Sequence, residues 1–282
     1  MFRLLLALMA LTPPGAVHAQ VNEIGLTGGA MYYIGDLNPY RHYPPRTKPA
    51  AGLVFRHNFN DRYALRLQAL YGALEAHDAD SKDSLQVLRN LHFRAQLFEA
   101  SAIFEINFFK YRSNTKDSRK WTPFVFGGLA YFRANPKAEW NGEWYDLQPL
   151  GTEGQGTTAR PGSEPYKVDQ ISLPFGTGLK FNLGRFDVQV EWGLRRTWTD
   201  HIDDVSGTYV DNDLLAFENG PLAGVLADRS GLDNVPGFSN ADRARGDPNT
   251  RDWYQYTGLT ITYIISPFLE CDAIYQRMGR RR

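Results

Sequence analysis

Apolar and polar residues alternate with a period of two along most of this chain, the pattern of strands with one oily face and one polar face. In NEIGLTGGAMYYIGD, Ile24, Leu26, Ala30, Tyr32 and Ile34 share one face; Glu23, Gly25, Thr27 and Gly29 share the other. AAGLVFRHNF sets Ala51, Leu53, Phe55 and Phe59 against Gly52, Arg56 and Asn58. RYALRLQALYGAL sets Tyr63, Leu65, Leu67, Ala69 and Tyr71 against Arg66, Gln68 and Gly72. In FEASAIFEINFF, Phe98, Ala100, Ala102, Phe104, Ile106 and Phe108 oppose Glu99, Ser101, Glu105 and Asn107. TPFVFGGLAYF offers Phe124, Phe126, Ala130 and Phe132 as its apolar face. QISLPFGTGLKF places Ile171, Leu173, Phe175, Leu179 and Phe181 opposite Ser172, Gly176, Gly178 and Lys180. RFDVQVEWGLR places Phe186, Val188, Val190, Trp192 and Leu194 opposite Asp187, Gln189, Glu191 and Arg195. WYQYTGLTITY closes the series with Leu259, Ile261 and Tyr263.

These eight runs predict eight strands, each near the roughly 9–11 residues of a tilted transmembrane strand. The connections alternate in length. Long ones cover about 36–49, 75–90, 134–168 and 199–251; short ones run from Asn58 to Arg62, Lys110 to Lys120 and Asn182 to Arg185. Long loops on one side and short turns on the other are the rhythm of an outer-membrane barrel. A soluble β-sandwich shares the alternation, so composition has to discriminate. Aromatic residues make up 13% of the chain while mean hydropathy is −0.42. A barrel with lipid on one face only, aromatic girdles and polar loops reconciles the two values. The expectation is an all-β, eight-stranded antiparallel transmembrane β-barrel spanning 20–264.

The N-terminus supports export. Arg3, the apolar run Leu4 to Leu11 and Val17-His18-Ala19 read as a signal peptide over 1–19. That run is shorter than the roughly 20 residues a membrane-crossing helix needs. The barrel is expected in the outer membrane, with both termini in the periplasm and a basic tail over 265–282. Formal net charge is zero, which argues against a nucleic-acid partner. The single cysteine, Cys271, excludes an intrachain disulfide.

Eight strands leave an interior that side chains fill. The faces opposite the lipid carry Glu23, Arg56, Arg66, Glu99, Glu105, Lys180, Asp187, Glu191 and Arg195. Charges within a membrane region pair with one another, so an internal ion-pair network with no open pore is expected. Function then belongs to the two ends.

Several stretches, EIGLTGGAMYYIGDLNP, FRHNFNDRYALRLQALYG, NGEWYDLQPLGTEGQG, ISLPFGTGLKFNL, EWGLRRTWTDHIDDVSGTYVD and RDWYQYTGLTITY, together resemble the PorG family. These are outer-membrane barrels of Bacteroidota associated with the type IX secretion system. The resemblance spans about Asn22 to Ile264. It implies a non-enzymatic barrel without cofactors that links the outer membrane to a periplasmic lipoprotein ring and other secretion components. The alternative is a small-ligand-binding or adhesion barrel not tied to secretion.

Two segments on the short-turn side are basic: Lys110, Arg112, Lys116, Arg119 and Lys120 in one turn, and Arg280, Arg281 and Arg282 at the C-terminus. They are candidate contacts for an acidic partner, since such clusters speed docking by long-range attraction. On the other side, Asp211 is positioned to cap a turn carrying Leu214, Leu215 and Phe217. Gly220 ends that turn, and Pro221 starts another with Leu222, Val225 and Leu226. The most chemical-looking segment is TDHIDD. Asp200, His201, Asp203 and Asp204 together have the residue types of a hydrolytic site, and Asp200, Asp203 and Asp204 offer hard oxygens to a cation. Neither the spacing of a calcium loop nor a second matching acid–histidine pair accompanies them, His42 and His77 being the other histidines on that side. The segment therefore reads as a rim motif where the seventh strand leaves lipid for water, starting the long fourth loop.

Overall fold

Every predicted run of alternation is a strand in the computed structural model, which describes residues 21–38, 44–111, 119–232, 235 and 238–265. The expected signal peptide, Arg112, Lys116, Cys271 and the tail arginines Arg280 to Arg282 lie outside the described residues. The strands are β1 (Val21–Ile34), β2 (Lys48–Asn58), β3 (Tyr63–His77), β4 (His92–Asn107), β5 (Trp121–Trp140), β6 (Glu143–Asp146), β7 (Asp169–Leu183), β8 (Phe186–Thr197) and β9 (Trp253–Ile264). Their order is β4-β3-β2-β1-β9-β8-β7-β5-β6, and β4 also pairs with β5. That last pairing closes eight strands into an antiparallel barrel. Closure matters in lipid, because an open edge would leave backbone groups unpaired where no water can reach them. Short β6 folds back on the loop-end part of β5 alone, from Lys137↔Asp146 to Trp140↔Glu143.

The outward face is apolar and exposed. Leu26, Leu53, Leu129 and Ile171 are each more than half accessible on the isolated chain, a surface that suits lipid and would aggregate in water. Aromatic side chains ring its two margins. Tyr63 stacks on Phe104 at 5.9 Å and Phe186 meets Tyr263 at 5.4 Å near the turns; Trp253 meets Phe175 at 6.1 Å near the loops. Among the described residues no helix is long and apolar enough to cross a membrane; strands make the crossing.

Two expectations need correction. Phe124, Phe126, Ala130 and Phe132 face the interior, while Trp121, Val125, Leu129 and Tyr131 face out. Register decides this. Phe126 lies opposite Glu105, Ala130 opposite Ser101 and Phe132 opposite Glu99, and directly opposed residues point to the same side of a sheet. Glycines on the neighbouring strands make room: a Cβ on Gly178 would lie 2.6 Å from the Phe124 ring, and one on Gly193 would lie 2.6 Å from that of Phe126. Strands β3, β4 and β5 also run further into the loop end than the apolar runs indicated, to His77, from His92 and to Trp140. Their inward residues there, among them Leu74, Phe93, Ala95 and Ala138, join Ile202, Val205 and Leu226 in a buried apolar cluster that fills the mouth.

The predicted loop helices form as α2 (Asn212–Glu218) and α3 (Pro221–Ala227), with Asp211 accepting the Leu214 amide at 2.9 Å and Pro221 in the first turn. A further short helix, α1 (Ser84–Arg89), crosses the β3–β4 connection behind the cap Asp83.

Candidate functional site

The barrel interior at the turn end is a lattice of ion pairs. Glu105 is its hub: Arg56 Nε lies 2.9 Å away, Arg66 Nε 3.0 Å and Lys180 Nζ 2.6 Å. Arg56 reaches Glu23 at 2.9 Å, Arg66 reaches Glu191, and Arg195 meets Glu99 at 3.3 Å and Glu191 at 3.9 Å. Asn58 and Thr262 donate to Glu23, and Tyr254 donates to Glu99 at 2.8 Å. Asp187 sits beside the β7–β8 turn, accepting from Asn182 at 2.7 Å. The inward Phe124 ring lies 4.6 Å under Lys180 Nζ, and Phe126 lies 5.3 Å from Arg66. Side chains of Arg56, Arg66, Arg195, Lys180 and Glu105 are at most 1% accessible. A water-filled channel would wet them.

At the loop end, the segment after β8 turns into the mouth and does not run out along the rim. Asp200, Asp203 and Asp204 are all buried. Each carboxylate goes to its own partners. Asp203 accepts from Tyr33 Oη at 2.6 Å and from the Val205 amide at 3.0 Å. Tyr33 Oη is also 2.6 Å from Asp252 Oδ1, whose other oxygen accepts the Ile202 amide at 2.8 Å. Asp204, with φ at +68°, accepts from Tyr166 at 2.7 Å, from Thr152 and from Arg245 at 3.4 Å. Asp200 accepts from Ser206 at 2.7 Å, and its Oδ1 is buried without a hydrogen-bond donor. Glu153 collects the Ser206 amide at 2.8 Å, the Gly207 amide at 3.0 Å and Arg245 at 3.2 Å. His201 stacks on Tyr166 at 4.6 Å and lies 3.9 Å from Glu153.

Burial dominates the electrostatics here, because it penalises the charged form. It pushes Asp200 up to about 7, helped by Asp36 and opposed by the Ser206 hydrogen bond. Burial likewise lifts Asp204 to about 6 against Arg245, and Asp36 to about 6 against the Asp247 amide and Arg89. Asp203 is raised well above the ordinary range by burial and then by Asp252; burial raises Asp252 too. Burial lowers His201, so its imidazole is neutral at pH 7. The three candidate carboxylates diverge onto hydroxyl, amide and guanidinium donors, and no group of three or more metal-ligating side chains occurs among the described residues.

Sequence reasoning missed most of this network. Tyr33, Glu153, Tyr166, Arg245 and Asp252 come from three distant parts of the chain. The available signal was that Tyr33, Thr152 and Glu153, TDHIDDVS, and Asp252 each fall in one of the longer stretches singled out above, all at strand ends or loops of the same side.

Beside the network lies an open cleft of about 1020 Å³. The β1–β2, β3–β4 and β8–β9 connections line it, with Asp36 and Arg245 shared between cleft and network. At the opposite end, Lys110, Arg119 and Lys120 are exposed, and Arg119 sits 4.1 Å over the Phe109 ring.

A family described as "Domain of unknown function (DUF6089)" matches residues 2–148. No curated protein matches the chain. Similar solved structures include Neisserial surface protein A, with TM-score 0.41 and 9% identity over 86% of this chain and 96% of that one. Ail of Yersinia pestis, in complex with the heparin analogue sucrose octasulfate, gives 0.37 and 10% over 87% and 97%. OprG of Pseudomonas aeruginosa gives 0.35 and 10% over 87% and 98%. Likeness at this level carries no argument about activity.

Proposed function

We propose that this chain, which belongs to the DUF6089 family, is a non-conducting, non-enzymatic outer-membrane barrel serving the type IX secretion system. In this reading both termini face the periplasm, and the turn end docks the periplasmic lipoprotein ring. The observation that carries it is the sealed interior. With arginines, a lysine and glutamates buried in mutual ion pairs and an apolar plug above them, nothing passes through, and the molecule works by its ends. The buried, fully engaged state of Asp203 and Asp204 and the neutral His201 support a structural role for TDHIDD over a catalytic one. A general base needs a reachable substrate proton. The PorG-like stretches support the secretion assignment, and the exposed Lys110, Arg119 and Lys120 offer the charge for an acidic docking partner.

The test is affinity purification from outer membranes followed by mass spectrometry. Recovery of a ring lipoprotein is expected, and Lys110→Glu/Arg119→Glu/Lys120→Glu should lower it about tenfold, the loss of roughly 1.4 kcal/mol. Unchanged recovery from that variant would remove the basic turn from the interface. The second reading, a ligand-binding or adhesion barrel, is favoured by the cleft of about 1020 Å³. Capture of surface ligands without secretion components would select it.

A further inference from the structure

Helix α1 is short, and none of its residues is buried. Its two leucines at i and i+3, Leu85 and Leu88, are 73% and 45% exposed and line the cleft, turned away from the apolar core. An apolar helix side that leaves the core unserved has something else to cover it. The opposite wall of the cleft includes Ile34 and Trp253, which lie directly across from each other on β1 and β9. Tyr33 and Tyr254, their neighbours in sequence, are buried inside the barrel, so by alternation Ile34 and Trp253 face outward. They are the last outward positions of these two strands at the loop end. The apolar wall of the cleft is thus continuous with the lipid-facing belt, at the level where tryptophan marks a membrane interface.

Charge adds the second half. Among the cations of the cleft, Arg46 is taken by Glu75 and Asp80, Arg89 by Asp78, and Arg245 by Glu153 and Asp204. Lys82, Arg243 and Arg251 form no ion pair among the described residues. Arg251 donates to backbone carbonyls at 3.2 and 3.4 Å and feels Asp200 at longer range without forming an ion pair, and Arg243 lies against the Phe238 ring. The neighbouring carboxylates are tied to local donors: Asp36 to the Asp247 amide, Asp83 to the Leu85 amide, and Asp247 to Asn249. Cations at the rim and apolar side chains along the wall together suit an amphiphile with an anionic head.

We infer that this cleft seats the phosphate headgroup of a membrane lipid from the leaflet at the loop end, with Lys82, Arg243 and Arg251 on the phosphate and the acyl chains against Leu85, Leu88, Ile34 and Trp253. The inference rests on the membrane-spanning barrel and is independent of any secretion partner. Arg243 and Arg251 lie on either side in sequence of Arg245, which braces the buried carboxylates Glu153 and Asp204.

The experiment uses the full barrel in octyl tetraoxyethylene micelles, which contain no phosphate. Dioleoyl phosphatidic acid or dioleoyl glycerol is titrated in, and retained lipid is read by native mass spectrometry. One phosphatidic acid per barrel is expected to outlast diacylglycerol by about tenfold in apparent Kd. Lys82→Ala/Arg243→Ala/Arg251→Ala should abolish that preference, and Leu85→Ser/Leu88→Ser should weaken retention while keeping the preference for phosphate. Folding of each variant is checked by its thermal shift in electrophoretic mobility. Equal retention of both lipids by the wild-type barrel, or an undiminished preference in the folded triple variant, would overturn the proposal. Phosphatidic acid held no more tightly than inorganic phosphate by the wild-type barrel would assign the cations to a free anion and also overturn it.

Discussion

A phenol has one hydrogen to donate, yet Tyr33 Oη lies 2.6 Å from a carboxylate oxygen of Asp203 and 2.6 Å from one of Asp252. Two bonds of that length require a second proton, so one of the two aspartates is a carboxylic acid donating back to the phenol. Burial is the main cause for both aspartates, with Asp252 raising Asp203 further and Asp200 and Asp36 raising Asp252. The sign of the pH dependence follows from these raised values. Unfolded aspartates lose their protons near pH 4, while Asp204 and Asp36 hold theirs to about 6 and Asp200 to about 7. Above the unfolded value the folded cap binds more protons than the unfolded one, so its stability falls as pH rises from about 4 through about 7, and the proton shared by Asp203 and Asp252 continues the fall beyond. The protection factors of the Ile202 to Ser206 amides, corrected for base catalysis of exchange, should be lower at pH 8 than at pH 5, and Asp252→Asn, which imitates the protonated acid, should flatten the difference. A cap equally protected at both values would refute the shared proton. Tyr33→Phe leaves buried carboxylates short of a donor and should cost about 1–3 kcal/mol in urea unfolding.

Strand β5 shows why alternation alone does not orient an element. Both of its faces carry aromatics, Phe124, Phe126 and Phe132 on one and Trp121 and Tyr131 on the other, so hydrophobicity is symmetric and the choice falls to the neighbours. Glu105, Glu99 and Asn107 on β4 must point inward to meet Lys180, Arg195 and Tyr254. The residues of β5 paired to them follow. On the other flank, inward glycines of β7 and β8 leave the volume the rings occupy. The glycine at 193 is the cleanest test, because the three atoms nearest a Cβ there belong to the side chains of Phe126 and Arg195. Gly193→Ala should cost about 1–3 kcal/mol by overpacking. Phe126→Ala in the same chain should return part of it, a coupling of about 0.5–3 kcal/mol in a double-mutant cycle. Strict additivity would mean that the ring does not fill the glycine space.

For the whole molecule, the barrel resembles a soluble protein turned inside out at one end and right side out at the other. Ion pairs fill the turn-end half, and an apolar cluster with a carboxylate cap fills the loop-end half. Such a filling is stable only while it is balanced. Glu105 is shared by Arg56, Arg66 and Lys180, so Glu105→Gln leaves buried cations without their common partner. Breaking a buried pair in this way costs about 3–5 kcal/mol, and the variant should unfold at markedly lower urea than Gln189→Ala. Planar-bilayer recordings of the wild-type barrel should show no steady ion conductance. A stable open channel would contradict the sealed interior and the docking function built on it.

The chain by itself determines the strand count, the order of long and short connections, the lipid face of seven strands and the two loop helices. Each of these depends on local periodicity or on a cap within a few residues, as with Asp211 and Leu214. Only the tertiary structure decides the facing of β5, the extra length of β3 to β5 and the fate of TDHIDD. Those depend on partners far off along the chain: Tyr33 for Asp203, and Gly193 together with Arg66 across from Phe126. Asp200, Asp203 and Asp204 look like a wet rim in sequence because charge usually marks solvent. Asp203 and Asp204 are buried because two phenols, a hydroxyl and a guanidinium from other segments meet them there, and sequence spacing carries no record of that convergence.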